Sequence, residues 1–357
     1  MIPYAKGLIE DDDRAAVDAV LRSGRVAQGP LVPQFEAALA SYAGARHAVC
    51  VSSGTAALWC AYMATDLRGD GLPLDVGMPA VTFVATANAL SVGTALDAYG
   101  AATQPSPFPI DVDPLAWCGL AEGAHRDPSW APRPLYVQVT IGGYPAPPHG
   151  AKIVDAAHGP YRKGPELMRC LSFHPAKNMT TGEGGAVLTD DDDVAERLRR
   201  RRDNGRDMPH DPVPRIAGLN LRMGEMNAAL GLSQLRKLDG WQARRRKIAD
   251  YYRERLGGIE GLRFQADHVD HFYHLFIVHV DQAHRPRDMV RIMLGDRGVG
   301  AQVHYQPLYR LPPYQADPAR FPNAEAYWRG ALSIPMSHAL TDAEVEQVVK
   351  SVREVLA

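Results

Sequence analysis

The feature that most limits how this chain can fold is a recurring unit of short apolar run, polar stop and helical stretch. His47 to Val51 (HAVCV) ends at Ser52, Ser53, Gly54 and Thr55, and AALWCAYMA follows with the length and propensity of a helix. The same apolar run and polar stop recur at Leu135 to Val139, at Ile153 to Val154 before Asp155, and at Cys170 to Phe173 before a lysine-bearing turn. Strands joined by helical or looped crossovers predict an α/β fold with a mainly parallel sheet. Ligands of such a sheet sit beyond the carboxyl ends of its strands.

Composition narrows the setting of that sheet. At 357 residues, with 46% hydrophobic and 22% charged residues, the chain has the makings of a globular protein of two domains. A net charge of -2 gives no long-range pull toward nucleic acid or an anionic membrane. Cys50, Cys60, Cys118 and Cys170 show no CxxC spacing, which argues against zinc or a disulfide framework and fits a reducing cytosol. The start, MIPYAKGLIEDDD, has no leader pattern, and no apolar run approaches the ~18 residues of a membrane helix. These features predict a cytoplasmic protein with neither a membrane nor a nucleic-acid partner.

Residues 100–150 are rich in Pro and Gly and read as loops. From Met223, apolar residues at 226, 230, 235, 238, 241, 248 and 252 have helical spacing, with Gly231 and Gly240 as the places for a bend. Beyond it, YHLFIVHV, PRDMVRIMLGDRG, AQVHY and TDAEVEQVVKSVREVL alternate strand and helix. The expected division is a large domain over 1–240 and a smaller C-terminal α/β domain over 241–357.

Three turns carry the chemistry. Gly54 and Thr55 open a helix after a strand, so their amides, a hydroxyl and the helix dipole suit a phosphate, although SSGT alone also reads as a helix cap. Asp155 ends an apolar strand, where its carboxylate would enter the crevice or cap the next turn. Lys177 lies in SFHPAKNMTTGEGG between a strand and a glycine-rich bend, a specified place for a cation. A partly desolvated lysine there can lose its proton and attack a carbonyl as a Schiff-base nucleophile. Taken together, the three match the phosphate, ring nitrogen and aldehyde of pyridoxal 5'-phosphate (PLP). Phe83, between a strand-like run and a small-residue helix start, is the aromatic placed to cover the ring, or else it is core.

SSGTAAL, PAVTFVATAN, IVDAAHG, SFHPAKNMTTGEGGAV and GLNLRMGEMNAALGLSQL occur in the order that resembles the DegT/DnrJ/EryC1/StrS family of sugar aminotransferases. The resemblance implies a type I PLP-dependent aminotransferase fold and a homodimer with active sites at the subunit interface. It implies transfer of nitrogen from an amino acid, commonly glutamate, to a nucleotide-linked keto sugar. By position, Lys177 would carry the cofactor and Asp155 would face the pyridine nitrogen. His158 would lie near the ring hydroxyl, and Gly54, Thr55 and Ser172 would hold the phosphate. Asn220 would reach the partner subunit's phosphate. Lysine at 177, where some relatives that are dehydratases carry histidine, favours transamination. GAQVHYQPLYRLPPY is similar to the subgroup that makes UDP-4-amino-4,6-dideoxy-N-acetyl-β-L-altrosamine. Amination of a cyclitol or another non-nucleotide ketone, and a PLP-binding regulator without turnover, are the alternatives.

The chain departs from the family between Gly142 and Asp155, where GGYPAPPHGAKIV is too short for a crossover helix with its turns, and Lys177 follows Asp155 by only 22 positions. Arg199 to Arg202 read as a solvated helix end suited to the dipole rather than a nucleic-acid patch. His304 and Tyr305 would pack at the domain junction or face the sugar. Arg222 would fix neighbouring backbone or bind a carboxylate.

Overall fold

The computed structural model describes residues 1–65, 76–96, 107–114, 117, 135–145, 150–208 and 211–357. Cys118 and most of the 100–150 stretch read as loop lie outside the described residues.

Helices α1 (Asp11–Ser23) and α2 (Leu31–Ala43) precede strand β1 (His47–Val51), followed by α3 (Gly54–Ala64), β2 (Val76–Pro79), α4 (Ala85–Leu96), β3 (Pro107–Ile110) and β4 (Leu135–Val139). Next come β5 (Ile153–Asp155), β6 (Met168–Ser172), β7 (Gly185–Thr189) and α5 (Asp192–Arg202). The seven strands form one sheet in the order β1-β7-β6-β5-β4-β2-β3. Pairing is parallel from β6 to β3 and antiparallel on both sides of β7. Two antiparallel steps cancel, so β1 points the same way as β6. The carboxyl ends of β1, β2, β4, β5 and β6 therefore share one edge of the sheet.

Strand alternation builds a core on each face, because successive side chains point to opposite sides. Val49, Val51, Ile153, Cys170 and Val187 pack with α3 and α5 on one side. Ala48, Cys50, Val154, Leu171 and Leu188 pack with α2 and α6 (Glu225–Leu235) on the other. The described cysteines, Cys50, Cys60 and Cys170, are free and buried in these layers.

The helical segment after Met223 is two helices, α6 and α7 (Leu238–Leu256). They meet at Arg236 and Lys237, between the two glycines at which the sequence places a bend. Gly231 cannot open the helix there, because it lies against the Phe35 ring, 2.6 Å from where a Cβ would stand. A second, three-stranded sheet of β8 (Leu262–Phe264), β9 (Phe276–Val280) and β10 (Ala331–Ile334) packs with α7, α8 (Arg287–Asp296) and α10 (Asp342–Leu356). Between them α9 (Pro322–Gly330) precedes β10. Ile2 joins this second core, so the chain's start is anchored in it. AQVHY, read as a strand, forms only a bridge at Gln302 to Ser333. The chain then diverges toward the first sheet and reaches Pro307, which has no N–H for a ladder.

The start of the β4–β5 connection, at 141–143, packs against this second unit. A tight turn at Ile141–Gly143 holds Gly142 and Gly143 at positive φ. Their carbonyls accept from Leu275 N (3.1 Å) and Phe272 N (2.8 Å).

Arg202 corrects the reading of Arg199 to Arg202 as solvated. Its guanidinium is buried, donating to Glu36 and to the Cys50 carbonyl, and so ties α5 to α2 and β1.

Candidate active site

The strand ends on the shared edge frame a cavity of about 290 Å³. Ser53, Gly54 and Thr55 come from the end of β1, Thr82 and Phe83 from β2, Val139 and Ile141 from β4, Asp155 from β5, and Ser172 and Lys177 from β6 and its turn. His274, His304 and Tyr305 close it from the C-terminal region, and Tyr4 from the chain's start. Gly54, Thr55, Phe83, Asp155, His158, Ser172 and Lys177, all singled out from the sequence, thus share one cavity. Asn220 does not line it; it is exposed and bridges to Asp203.

At one end lies the start of α3. Ser53 Oγ accepts from Ala56 N (3.0 Å), leaving the amides of Gly54 and Thr55 without intrahelical acceptors. A Cβ at Gly54 would come 2.7 Å from Ser172 Cβ, so only glycine lets the helix start approach the Ser172 hydroxyl. Two amides, two hydroxyls and a helix dipole on one concavity fit a phosphate.

The Lys177 turn is closed by its own polar groups. The Phe173 carbonyl accepts from Thr181 N (3.0 Å) and Thr180 Oγ1 (2.9 Å), and Lys177 N donates to the His174 carbonyl (2.8 Å). This explains the Thr-Thr-Gly sequence after the lysine: hydroxyls and a positive-φ glycine at 182 return the chain to β7. Burial lowers the Lys177 amine from its ordinary value to about 8, while nearby Asp155 pulls it upward. Such an amine gives up its proton far more readily than an ordinary lysine and is available as a nucleophile above about pH 8.

Asp155, 5% exposed, receives hydrogen bonds from Thr86 Oγ1 (2.8 Å) and Ala157 N (3.1 Å). Burial raises its pKa above the usual carboxylate value, opposed by those two donors and by Lys177. A buried carboxylate facing the cavity fits a protonated ring nitrogen. His158 Nδ1 accepts from Gly142 N (3.1 Å), so in the neutral ring the proton sits on Nε2, 3.1 Å from the Tyr305 hydroxyl. Burial, then Lys177 and His304, hold His158 well below its ordinary value, and burial brings His304 down to about 4. His158 and His304 are therefore neutral at pH 7. Phe83, 53% exposed, lines the mouth with its ring centroid 5.5 Å from that of Tyr305.

The sequence reading did not include Thr82, Thr86, His274 or Tyr4. Thr86 lies among small residues at a helix start, and His274 precedes an apolar strand; neither carries a local signal. Arg222 pairs with Asp203, which also holds Arg206 at 2.6 Å. His304 and Tyr305 both pack at the junction and face the cavity. Among the described residues, no helix is long and apolar enough to cross a membrane.

The model of the DegT/DnrJ/EryC1/StrS aminotransferase family matches residues 8–122 and 149–353. The spore coat polysaccharide biosynthesis protein SpsC of Bacillus subtilis is 31% identical, over 99% of this chain and 97% of its own. A dTDP-3-amino-3,4,6-trideoxy-alpha-D-glucose transaminase of Streptomyces venezuelae is 34% identical, over 95% of this chain and 91% of its own. Among solved structures, Helicobacter pylori PseC, an aminotransferase involved in the biosynthesis of pseudoaminic acid, superposes with a TM-score of 0.89 at 25% identity, covering 99% of both chains.

Proposed function

Since the chain belongs to the DegT/DnrJ/EryC1/StrS aminotransferase family and is thus a PLP-dependent sugar aminotransferase, we propose that it moves the amino group of L-glutamate to the C4 keto group of a nucleotide-linked 6-deoxy sugar. The observation that carries the reading is the joint placement of a buried lysine amine, a buried carboxylate and a helix N-terminus around one cavity. The GAQVHYQPLYRLPPY resemblance supports the UDP-linked N-acetyl 4-keto sugar as acceptor, with His304 and Tyr305 lining the cavity.

When bound, PLP supplies an aldehyde that takes the amino group and a ring that delocalises the electron pair left when the donor's Cα proton departs. Lys177 Nζ would hold the cofactor aldehyde, and as a free amine of lowered basicity it is placed to move a proton. Asp155 holds a proton on the ring nitrogen. The Gly54 and Thr55 amides and the Ser172 hydroxyl hold the phosphate, Phe83 covers the ring, and His158 stands by the ring hydroxyl. In this reading the chain is a cytoplasmic homodimer. Asn220 of one protomer serves its partner's site, and the large and small domains divide near 240/241.

Two steps of one experiment test this. L-glutamate added to the PLP-loaded protein without any sugar should convert the visible absorbance to that of the amino form of the cofactor. UDP-, GDP- and dTDP-linked keto sugars, and cyclitol ketones, are then supplied to the aminated protein. Return of the original spectrum with a UDP-linked 4-keto-6-deoxy sugar supports the proposal; return only with a cyclitol ketone sinks it.

A further inference from the structure

Behind Asp155 lies a pair of hydroxyls that the roles above do not use. Thr86 Oγ1 lies 2.8 Å from Asp155 Oδ2, and Thr82 Oγ1 lies 2.7 Å from Thr86 Oγ1. Both threonines are buried, at 0% and 1% exposure. An ionised carboxylate only accepts, so the single hydroxyl proton of Thr86 is committed to Asp155. The Thr86 oxygen then accepts, and the proton between the threonines belongs to Thr82, whose other acceptor, the Phe83 carbonyl, is farther away at 3.4 Å. The chain is thus polarised one way, from Thr82 through Thr86 to Asp155.

The surroundings hold this pair in place. Thr86 sits in the first turn of α4, where the helix dipole favours an anion. The Tyr62 hydroxyl of α3 donates to the Thr86 carbonyl (2.8 Å) and pins that turn in place. The titratable groups acting on or near Asp155 are Lys177, Tyr62, Cys170 and Tyr305. Burial holds Tyr62, Cys170 and Tyr305 protonated, leaving Lys177 as the charged member of the set. Once that amine is tied to a cofactor or has lost its proton, Asp155 depends on hydrogen bonds to stay ionised in a site that penalises its charge. Ala157 N serves Oδ1, and Thr86 serves Oδ2.

We infer that Thr86, polarised by Thr82, is a positioning residue that keeps the Asp155 carboxylate ionised and oriented for the ring nitrogen of PLP. The inference rests on the role given to Asp155 above. Its readout is cofactor binding by the apoprotein as a function of pH, followed by fluorescence with PLP as the probe. Thr86→Val keeps the volume and removes the proton, and should weaken PLP binding about 10- to 100-fold, the range for a lost hydrogen bond to a charged group. Its acid limb should also move to higher pH, because the carboxyl then protonates more readily. Thr86→Ser should bring both properties back to within about threefold of the native protein, and Thr82→Val should move them the same way by a smaller factor.

Native binding and an unmoved acid limb in Thr86→Val overturn the inference, as does a Thr86→Ser variant as poor as the valine one. If the valine variant fails to fold by circular dichroism, Thr82→Val decides, and an unmoved acid limb there overturns the relay. Asp155→Ala separates the two readings. If it binds PLP as the native protein does, the role of Asp155 itself fails; if it binds poorly while Thr86→Val binds normally, only the role of Thr86 fails.

Discussion

Lys177 shows how a single residue becomes chemistry through its surroundings. Its amine is less basic in the folded apoprotein, at about 8, than in the unfolded chain near the ordinary lysine value of 10.5. Between those values the unfolded state binds more protons, so stability rises with pH across that window. Buried Cys50, Cys60 and Cys170, whose thiols are held protonated, tilt the whole profile the other way. The rise is therefore read as the difference between native and Lys177→Met apoproteins in urea unfolding stepped from neutral to alkaline pH. Lys177→Met should lack it, and should be more stable below the window by about 1–3 kcal/mol; an identical slope in both proteins rules out a depressed lysine. Lys177, Asp155 and Gly54 were legible in the sequence because each ends a strand run in a turn of unusual composition. Thr86 was not, since a threonine in ATANAL reads as one more helix residue until Asp155, 69 positions away, is brought beside it.

Among the elements, α2 and α6 depend on each other through one side chain. Glu225, the first residue of α6 and 2% exposed, accepts from Gly29 N (2.9 Å), Leu31 N (2.9 Å) and Val32 N (3.0 Å) at the start of α2. A charged acceptor from another helix thus satisfies amides that α2 itself leaves unpaired. Glu225→Ala should cost about 2–4 kcal/mol by urea denaturation, because it strands one buried and two partly buried amides. A loss near zero would show that water replaces the carboxylate. The helical period from Met223 revealed the helices but not their junction. Glycine is a local signal for a bend, whereas the break at Arg236 and Lys237 follows from α6 seating against Phe35 and α7 turning into the second core. Similarly, the arginine run at the end of α5 looks uniform in sequence, and only the fold selects Arg202 for burial against Glu36.

For the whole molecule, the sheet and the C-terminal unit complete the cavity together. His274 Nδ1 donates to Asn178 Oδ1 (3.0 Å), next to Lys177, and Arg245 Nη1 ties the Tyr273 carbonyl (3.0 Å) to that of Met336 (3.2 Å). Asn220 remains outside this cavity, and in the proposed homodimer it would serve the partner's site. Lys177→Ala and Asn220→Ala proteins, each impaired alone, should therefore recover activity when their subunits are mixed and exchanged. One of the two sites in each mixed dimer would be intact, giving about a quarter of native activity for statistical exchange in a two-fold dimer. No recovery on verified exchange, or full activity of Asn220→Ala alone, would contradict the shared site. The sequence by itself determined the strand-turn-helix order, the mainly parallel character of the sheet and the three turns that carry Lys177, Asp155 and the helix start at Gly54. Those depend on periodicities and turn residues within a few positions of one another. The tertiary structure alone decided that His158 is neutral and faces Tyr305, that two threonines stand behind Asp155, and that the turn after β4 is held by the second unit. Burial and hydrogen-bond partnership are set by residues distant along the chain.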